Sequence, residues 1–539
     1  MRRKDLRAPA TILAAVSFAA IGVTGASAKP KPPAPNTSAP AYKLANVGPY
    51  GGEPSIAVNT KGELYDTTPS GGTLLYKSTN HGATWTKATT ADPESGDDCV
   101  TTDQSGAVYE CNLAGSEDTA PLQADVWKSV DDGKTWMYGN NNVDLAAGSN
   151  LCGTSCNPFG VDRQWTAAYI PPGGTTDNAL VALDYHDFYG PSQIWVNIST
   201  DGGKTFGPPV DVMANFTVNS ADQAAVALAD SACNTVPTGI GIAWAGAHAG
   251  RIFVSWIASD PESPATGCNV SMLQSFHNLF VAWSDDGGRT WTPQLAYDAG
   301  IGHDTSSPFA GFALDRLGNP YVAFTAPAPS SNPLTCAAES AAGTVQSDPS
   351  CANHMWVAWS PDGGSTWDGG GGVVPGSAAT AYEVDSGNAV QTDLFPTIAA
   401  GDPGKVDVSW LRTNEIEPTD ALGKFLPGGC AGPGNGNPDF YPPTCSWNLY
   451  AGQSLNLTSP TGIATWTTGA VTTTPMHVGD ICNLGIFCLD PNSNRNLLDF
   501  NSEVVDPTTG FAHIAYADDN KVNKLRAANQ VSGPSVLGP

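Results

Sequence analysis

The stretch Trp283–Trp291 reads WSDDGGRTW. Apolar residues lead into it, a Ser-x-Asp-x-Gly turn follows, and Thr290-Trp291 closes it. The same frame recurs at Ser78–Trp85, Ser129–Trp136, Ser199–Phe206 and Ser360–Trp367, with glycines Gly82, Gly133, Gly203, Gly288 and Gly364 at one position. The acceptor position holds Asn80 in the first copy and Asp131, Asp201, Asp286 and Asp362 in the others. A worn sixth copy reads as Ser459–Trp466, keeping Ser459, Thr465 and Trp466 but with Thr461 for Asp and Ile463 for Gly. A unit that recurs in one frame marks a repeat architecture.

Each copy reads as a β-hairpin corner. Asp or Asn accepts hydrogen bonds from amides across the turn, glycine supplies dihedrals other residues avoid, and the aromatic packs on the sheet. These residues resemble the Asp-box, or BNR repeat, of the sialidase-like β-propellers, and the resemblance covers most of residues 50–520. It implies the fold rather than an activity, because such turns are structural and propellers host many chemistries.

A second repeat lies between the boxes: strand, tight turn, strand. Its copies are Pro54–Asp66, Cys99–Cys111, Arg163–His186, Gly239–Ile257, Pro308–Thr325, Phe395–Leu411 and Phe500–Ala517. The first six are each followed by a box, and two hairpins make a four-stranded antiparallel blade. The seventh is followed only by Val522–Gln530, and Tyr42–Val47 from the other end of the chain would complete that blade. The expectation is an all-β propeller of seven blades, with six as the alternative. Box turns fall on one face, and long loops holding ten of the twelve cysteines fall on the other.

Residues 1–28 read as a secretory signal, with Arg2, Arg3, Lys4 and Arg7 before the apolar run Thr11–Gly25 and Ala26-Ser27-Ala28 at the cleavage site. Residues 29–41 read as a Pro-rich linker, and 42–539 as the propeller. A secreted protein without a membrane span in its mature form is expected. Twelve cysteines then suggest disulfides between sequence neighbours: Cys99–Cys111, Cys152–Cys156, Cys233–Cys268, Cys336–Cys351, Cys430–Cys445 and Cys482–Cys488. The formal net charge is −27, which disfavours nucleic acid and anionic membranes and suits cations or neutral and cationic ligands. Carbohydrate or glycoconjugate is the expected partner, and a monomer the expected state.

An acidic residue precedes the first strand of nearly every blade: Glu53, Asp98, Asp162, Asp304, Asp393 and Asp499. First strands of a propeller are innermost, so these carboxylates should ring one mouth of the central channel. Crowding separates carboxyl pKa values and so makes acid and base of neighbours, which nominates Glu53, Asp162, Asp304 and Asp393 as catalytic candidates. Several oxygens together would also suit Ca²⁺, with Asp98 and Asp499 as candidate ligands. Capping of inter-blade turns is the structural alternative. Arg163 and Trp165 pair an anion binder with a sugar-stacking aromatic, and His186, His303 and Arg412 fall at the same face as further substrate-binding candidates.

The sialidase family binds its substrate through an arginine triad, whose first member lies in a Phe-Arg-Ile-Pro motif. The matching stretch Gly51-Gly52-Glu53-Pro54 keeps the proline and has Gly52 at the arginine position. The fold and the turns therefore carry over, and the catalytic set does not. A glycoside hydrolase using mouth carboxylates, a non-catalytic propeller binding glycan, cell wall or protein, and a Ca²⁺-stabilised scaffold are the three readings of function.

Overall fold

Seven antiparallel sheets form the molecule, each built on four strands, and in six of them the strands run in sequence order from the innermost outwards. The computed structural model describes residues 39–70, 72–92, 96–114, 123–139, 161–187, 194–213, 235–258, 276–299, 303, 305, 309–332, 352–367, 381–385, 391–414, 445–457, 464–479, 481, 495–520 and 524–538. All belong to the compact unit Thr37–Pro539. The expected signal and most of the expected linker lie outside the described residues.

Blade 1 consists of β2 (Ser55–Val58), β3 (Leu64–Pro69), β4 (Thr73–Ser78) and β5 (Thr86–Lys87). Blades 2 to 6 begin at β6 (Asp98–Thr102), β10 (Val161–Tyr169), β14 (Thr235–Ile242), β18 (Gly311–Leu314) and β22 (Asp393–Ala400). Blade 7 holds β27 (Ser502–Val505), β28 (Ala512–Asp518), β29 (Lys524–Ser532) and, from the other end of the chain, β1 (Ala41–Gly48). Strand β1 pairs antiparallel with β29, so the two chain ends close the ring inside one blade. Seven blades are therefore present, not six. Among the described residues no helix is long and apolar enough to cross a membrane.

The turn chemistry explains the blade geometry. In the box of blade 4, Thr290 N donates to Asp286 Oδ1 at 2.9 Å, Gly288 N donates to Ser284 Oγ at 2.9 Å, and Trp291 Nε1 donates to Gly288 O at 3.1 Å. Asp131, Asp201 and Asp362 accept from Thr135, Thr205 and Thr366 in the same way, and Asn80 accepts from Thr84. The box glycine also sets blade spacing. Gly288 has φ 83°, and a Cβ there would stand 2.6 Å from Ile198 of blade 3. Gly82 likewise leaves no room for a side chain beside Asn529 of blade 7.

Blade 6 corrects the sequence reading of the sixth box. Thr465 N and Oγ1 both donate to Asn456 Oδ1, each at 2.9 Å, and Asn456 N donates to Ser454 Oγ at 3.5 Å. The serine and acceptor are thus Ser454 and Asn456, while 458–463 lie outside the described residues. Acceptor and threonine stand nine residues apart here, against four in the other turns. The serine is fixed by the end of the third strand, Ser446–Ser454, and alignment back from Thr465-Trp466 misses the insertion.

Cys99 and Cys111 face each other across blade 2 and are disulfide-bonded, Cα–Cα 4.9 Å. Cys445 is also disulfide-bonded, and its partner lies outside the described residues, as do both cysteines of the other four expected pairs.

Candidate functional site at the channel mouth

The innermost strands of all seven blades line a central cavity of about 210 Å³, among them Ser55, Thr101, Trp165, Thr238, Phe312 and Thr397. At the end where these strands begin, the backbone is unusual. Glu53, Arg163, Phe395 and Leu498 have φ of 43°, 56°, 57° and 57°, a left-handed conformation that costs a non-glycine residue free energy. Arg163 lies in a bulge of β10, where pairing skips between Asp162 and Trp165, and Phe395 lies in the matching bulge of β22. A bulge re-aims a side chain that a regular strand would point elsewhere.

Here it gathers charge. Arg163 ion-pairs with Asp499 of blade 7, and its Nη1 stands 3.5 Å from Glu53 Oε1 of blade 1 and 3.6 Å from Asp97 Oδ2. Arg495 joins the same two carboxyls, at 2.7 Å from Asp499 Oδ2 and 3.5 Å from Glu53 Oε1. The Arg163 guanidinium lies over the Phe309 ring at 4.7 Å, and Phe500 packs on Trp165 at 5.1 Å and on Phe309 at 5.8 Å. The result is a double guanidinium clamp beside an aromatic shelf.

The two clamped carboxyls are driven apart. Burial, reinforced by Asp97, raises the Glu53 pKa well above the usual range despite the arginines. Burial would also raise Asp499, but Arg163 and Arg495 outweigh it and hold Asp499 below its ordinary value. Asp162 is pushed up to about 7 by burial, with Arg163 partly offsetting. Opposed shifts in neighbouring carboxyls separate a proton donor from an ionised partner.

The remaining candidates scatter. Asp98 is buried between blades, where burial raises its pKa and Glu110 adds to the rise. Asp393 is held by Arg412 through two bonds of 2.7 Å, and Arg412 also pairs with Asp385. The Arg412 guanidinium lies over Tyr450 at 4.9 Å and Trp410 at 5.2 Å. It therefore braces β22 against β23 (Val406–Thr413), with its charge already met. His186 is buried, and burial pushes its pKa down to about 3, which keeps it neutral. His303 spends Nδ1 on Ala299 O at 2.7 Å and Nε2 on Ser331 at 2.8 Å. Asp304 lies outside the described residues. The guanidiniums of Arg163 and Arg495 on Asp499 would repel a cation, and among the described residues no group of three or more His, Cys, Asp or Glu could hold a metal ion.

Sequence reading missed Arg495, Asp97, Phe309 and Phe500. Arg495 stands four residues before Asp499, a spacing that brings both to one turn, yet no motif marks it. Gly52 explains the departure from the arginine motif: a Cβ there would stand 2.9 Å from Leu497 O and 2.8 Å from Leu498 Cγ. No longer side chain fits.

No family model matches the chain, and no curated protein matches it. Among solved structures, an ulvan lyase bound to a GlcA–Rha3S saccharide is similar at 14% identity and TM-score 0.45, over 92% of this chain and 97% of that one. The intramolecular trans-sialidase of Ruminococcus gnavus is similar at 12% identity and TM-score 0.35, over 92% and 97%. An α-L-arabinofuranosidase of Fusarium graminearum is similar at 12% identity and TM-score 0.31, over 68% and 92%.

Proposed function

We propose that the protein is an exported, carbohydrate-directed propeller whose channel mouth carries an acid–base pair for cleaving glycosidic bonds. Glu53 holds the proton for the leaving oxygen, and Asp499, ionised between Arg163 and Arg495, stabilises developing positive charge or accepts a proton from the attacking group. The observation that carries this reading is that Arg163 and Arg495 each reach both Glu53 and Asp499, an arrangement in which burial raises the proton affinity of Glu53 while the guanidiniums lower that of Asp499. Trp165 and its ring neighbours offer a face on which a sugar stacks. Arg163, Arg495 and Arg412 are already paired with carboxylates, and Asp97 remains a third exposed, so the mouth suits neutral or basic sugars better than uronates or sialosides.

The test is turnover of a broad panel of fluorogenic glycosides and polysaccharides by the mature, oxidised protein. Glu53→Gln and Asp499→Asn should each reduce turnover by at least about a hundredfold, the usual contribution of a positioned acid or base. Turnover untouched by both substitutions would remove this site from the chemistry.

The second reading is a non-catalytic binding propeller. It is favoured by burial, since Glu53 is 1% exposed and Asp499 is wholly buried, which suits a brace among blades 7, 1 and 3. It expects no turnover on any saccharide, and a loss of thermal stability as the main effect of the same substitutions.

A further inference from the structure

The central cavity lies along the innermost strands, and none of the four clamp residues Glu53, Arg163, Arg495 and Asp499 lines it. Phe309, Phe312 and Phe500 give it apolar faces. Four of its side-chain hydroxyls are spent on the framework. Ser55 Oγ accepts from Val100 N at 3.1 Å, and Ser502 Oγ accepts from Ile56 N at 3.2 Å. Thr166 Oγ1 donates to Ala182 O at 2.9 Å, and Thr238 Oγ1 donates to Ser255 Oγ at 2.8 Å. Two donors are not spent. Trp165 and Asn501 line the same cavity, and Trp165 Nε1 and Asn501 Nδ2 are both buried with no hydrogen-bond partner among the described residues. Asn501 as a whole is only 6% exposed. Leaving a buried donor unmet is costly, so each marks a place where an acceptor oxygen would be held.

Glu503 is the one side chain able to carry charge among the residues that line the cavity. Burial, with Asp407 adding to it, raises the Glu503 pKa well above the usual range, which favours the uncharged acid. A charged ligand would find no counter-charge there, and burying an unpaired charge is far costlier than burying a hydroxyl. At about 10–15 Å³ for each water, a cavity of about 210 Å³ has room for roughly fifteen of them, and so for a ring of about a dozen non-hydrogen atoms.

We propose that this cavity binds one neutral sugar ring, its apolar face against the phenylalanine rings and two of its oxygens accepting from Trp165 Nε1 and Asn501 Nδ2. A sugar is apolar on its ring faces and rich in acceptor oxygens at its edge, which is the combination the wall presents. Water would meet the two donors as well, but it gains nothing from the aromatic faces. This site rests on the carbohydrate-directed reading above, narrowed to uncharged sugars, and needs no part of its acid–base pair.

The experiment is titration calorimetry of the mature, oxidised protein with glucose, galactose, mannose, rhamnose, xylose and arabinose. Glucosamine, galactosamine, glucuronate and galacturonate form the charged set. At least one neutral sugar should bind one-to-one, and no charged sugar should come within about tenfold of the tightest neutral one. Asn501→Ala and Trp165→Phe each remove one unmet donor and should weaken that binding at least about tenfold. Because Asn501 Nδ2 bonds to nothing in the described protein, the melting temperature of sugar-free Asn501→Ala should match that of the wild type. No saturable binding by any neutral sugar, equal binding of a charged one, or an affinity unchanged in both variants overturns the proposal. Binding without turnover of any glycoside would strike the acid–base reading and leave this site standing, and turnover without such binding would do the reverse.

Discussion

The guanidinium of Arg163 and the carboxylate of Asp499 ion-pair across the channel mouth, although they belong to blades 3 and 7 and lie 336 residues apart in the chain. The pair links innermost strands that share no hydrogen-bonded ladder, with blades 1 and 2 between them in the ring. Removing Arg163 would leave Asp499 and Glu53 buried with only Arg495. Arg163→Met should therefore destabilise the protein by about 3–5 kcal/mol, as breaking a buried pair does. Chemical denaturation measures this, and a cost below about 1 kcal/mol would show that the clamp is dispensable.

Several buried carboxyls carry raised pKa values, so stability should fall as pH rises. Burial pushes Glu110 up to about 8 and Asp407 up to about 7. Such a group binds its proton more tightly folded than unfolded, so its favourable contribution is present below the unfolded pKa near 4 and is lost as pH climbs through the folded value. Each contributes a slope of at most about 1.4 kcal/mol per pH unit. Asp407→Asn should flatten the fall between about pH 4 and 7, and Glu110→Gln between about pH 4 and 8, in denaturation profiles taken across that range. Unchanged profiles in both would mean that these carboxyls ionise normally when folded.

The sixth box turn provides a local test. Asn456→Ala removes the acceptor for two donors of Thr465 and should cost on the order of 1 kcal/mol in chemical denaturation. A neutral outcome would mean that Asn456 does not fill the place that Asp286 fills in blade 4.

The residues after β29 strap blades 6 and 7 together. Val536 is buried, its carbonyl accepts from Asp402 N at 2.9 Å, and its N donates to Gly510 O at 3.1 Å. Truncation after Ser532 should destabilise the protein by about 2–4 kcal/mol, from the lost valine burial and hydrogen bonds. An unchanged melting temperature would show that the strap contributes nothing to stability.

By itself the sequence determined the fold, because both repeats rest on local physics. Alternating strands, turn glycines and a Ser-x-Asp acceptor act within a few residues of one another, and seven hairpins with a spare strand at Tyr42–Val47 favour seven blades over six. The sixth turn escaped because an insertion separates Asn456 from Thr465, and only the end of the third strand shows which serine begins it. Tertiary structure alone decided which acidic residues meet. Asp98 and Glu53 look alike in sequence, each just before a first strand, yet Asp98 turns between blades while Glu53 enters the arginine clamp. The bulge at Arg163 and the packing of Arg495 on Asp499 set that outcome, through contacts between blades far apart in the chain. Burial at those contacts then separated the proton affinities of Glu53 and Asp499, and burial is a property of the closed ring rather than of any segment.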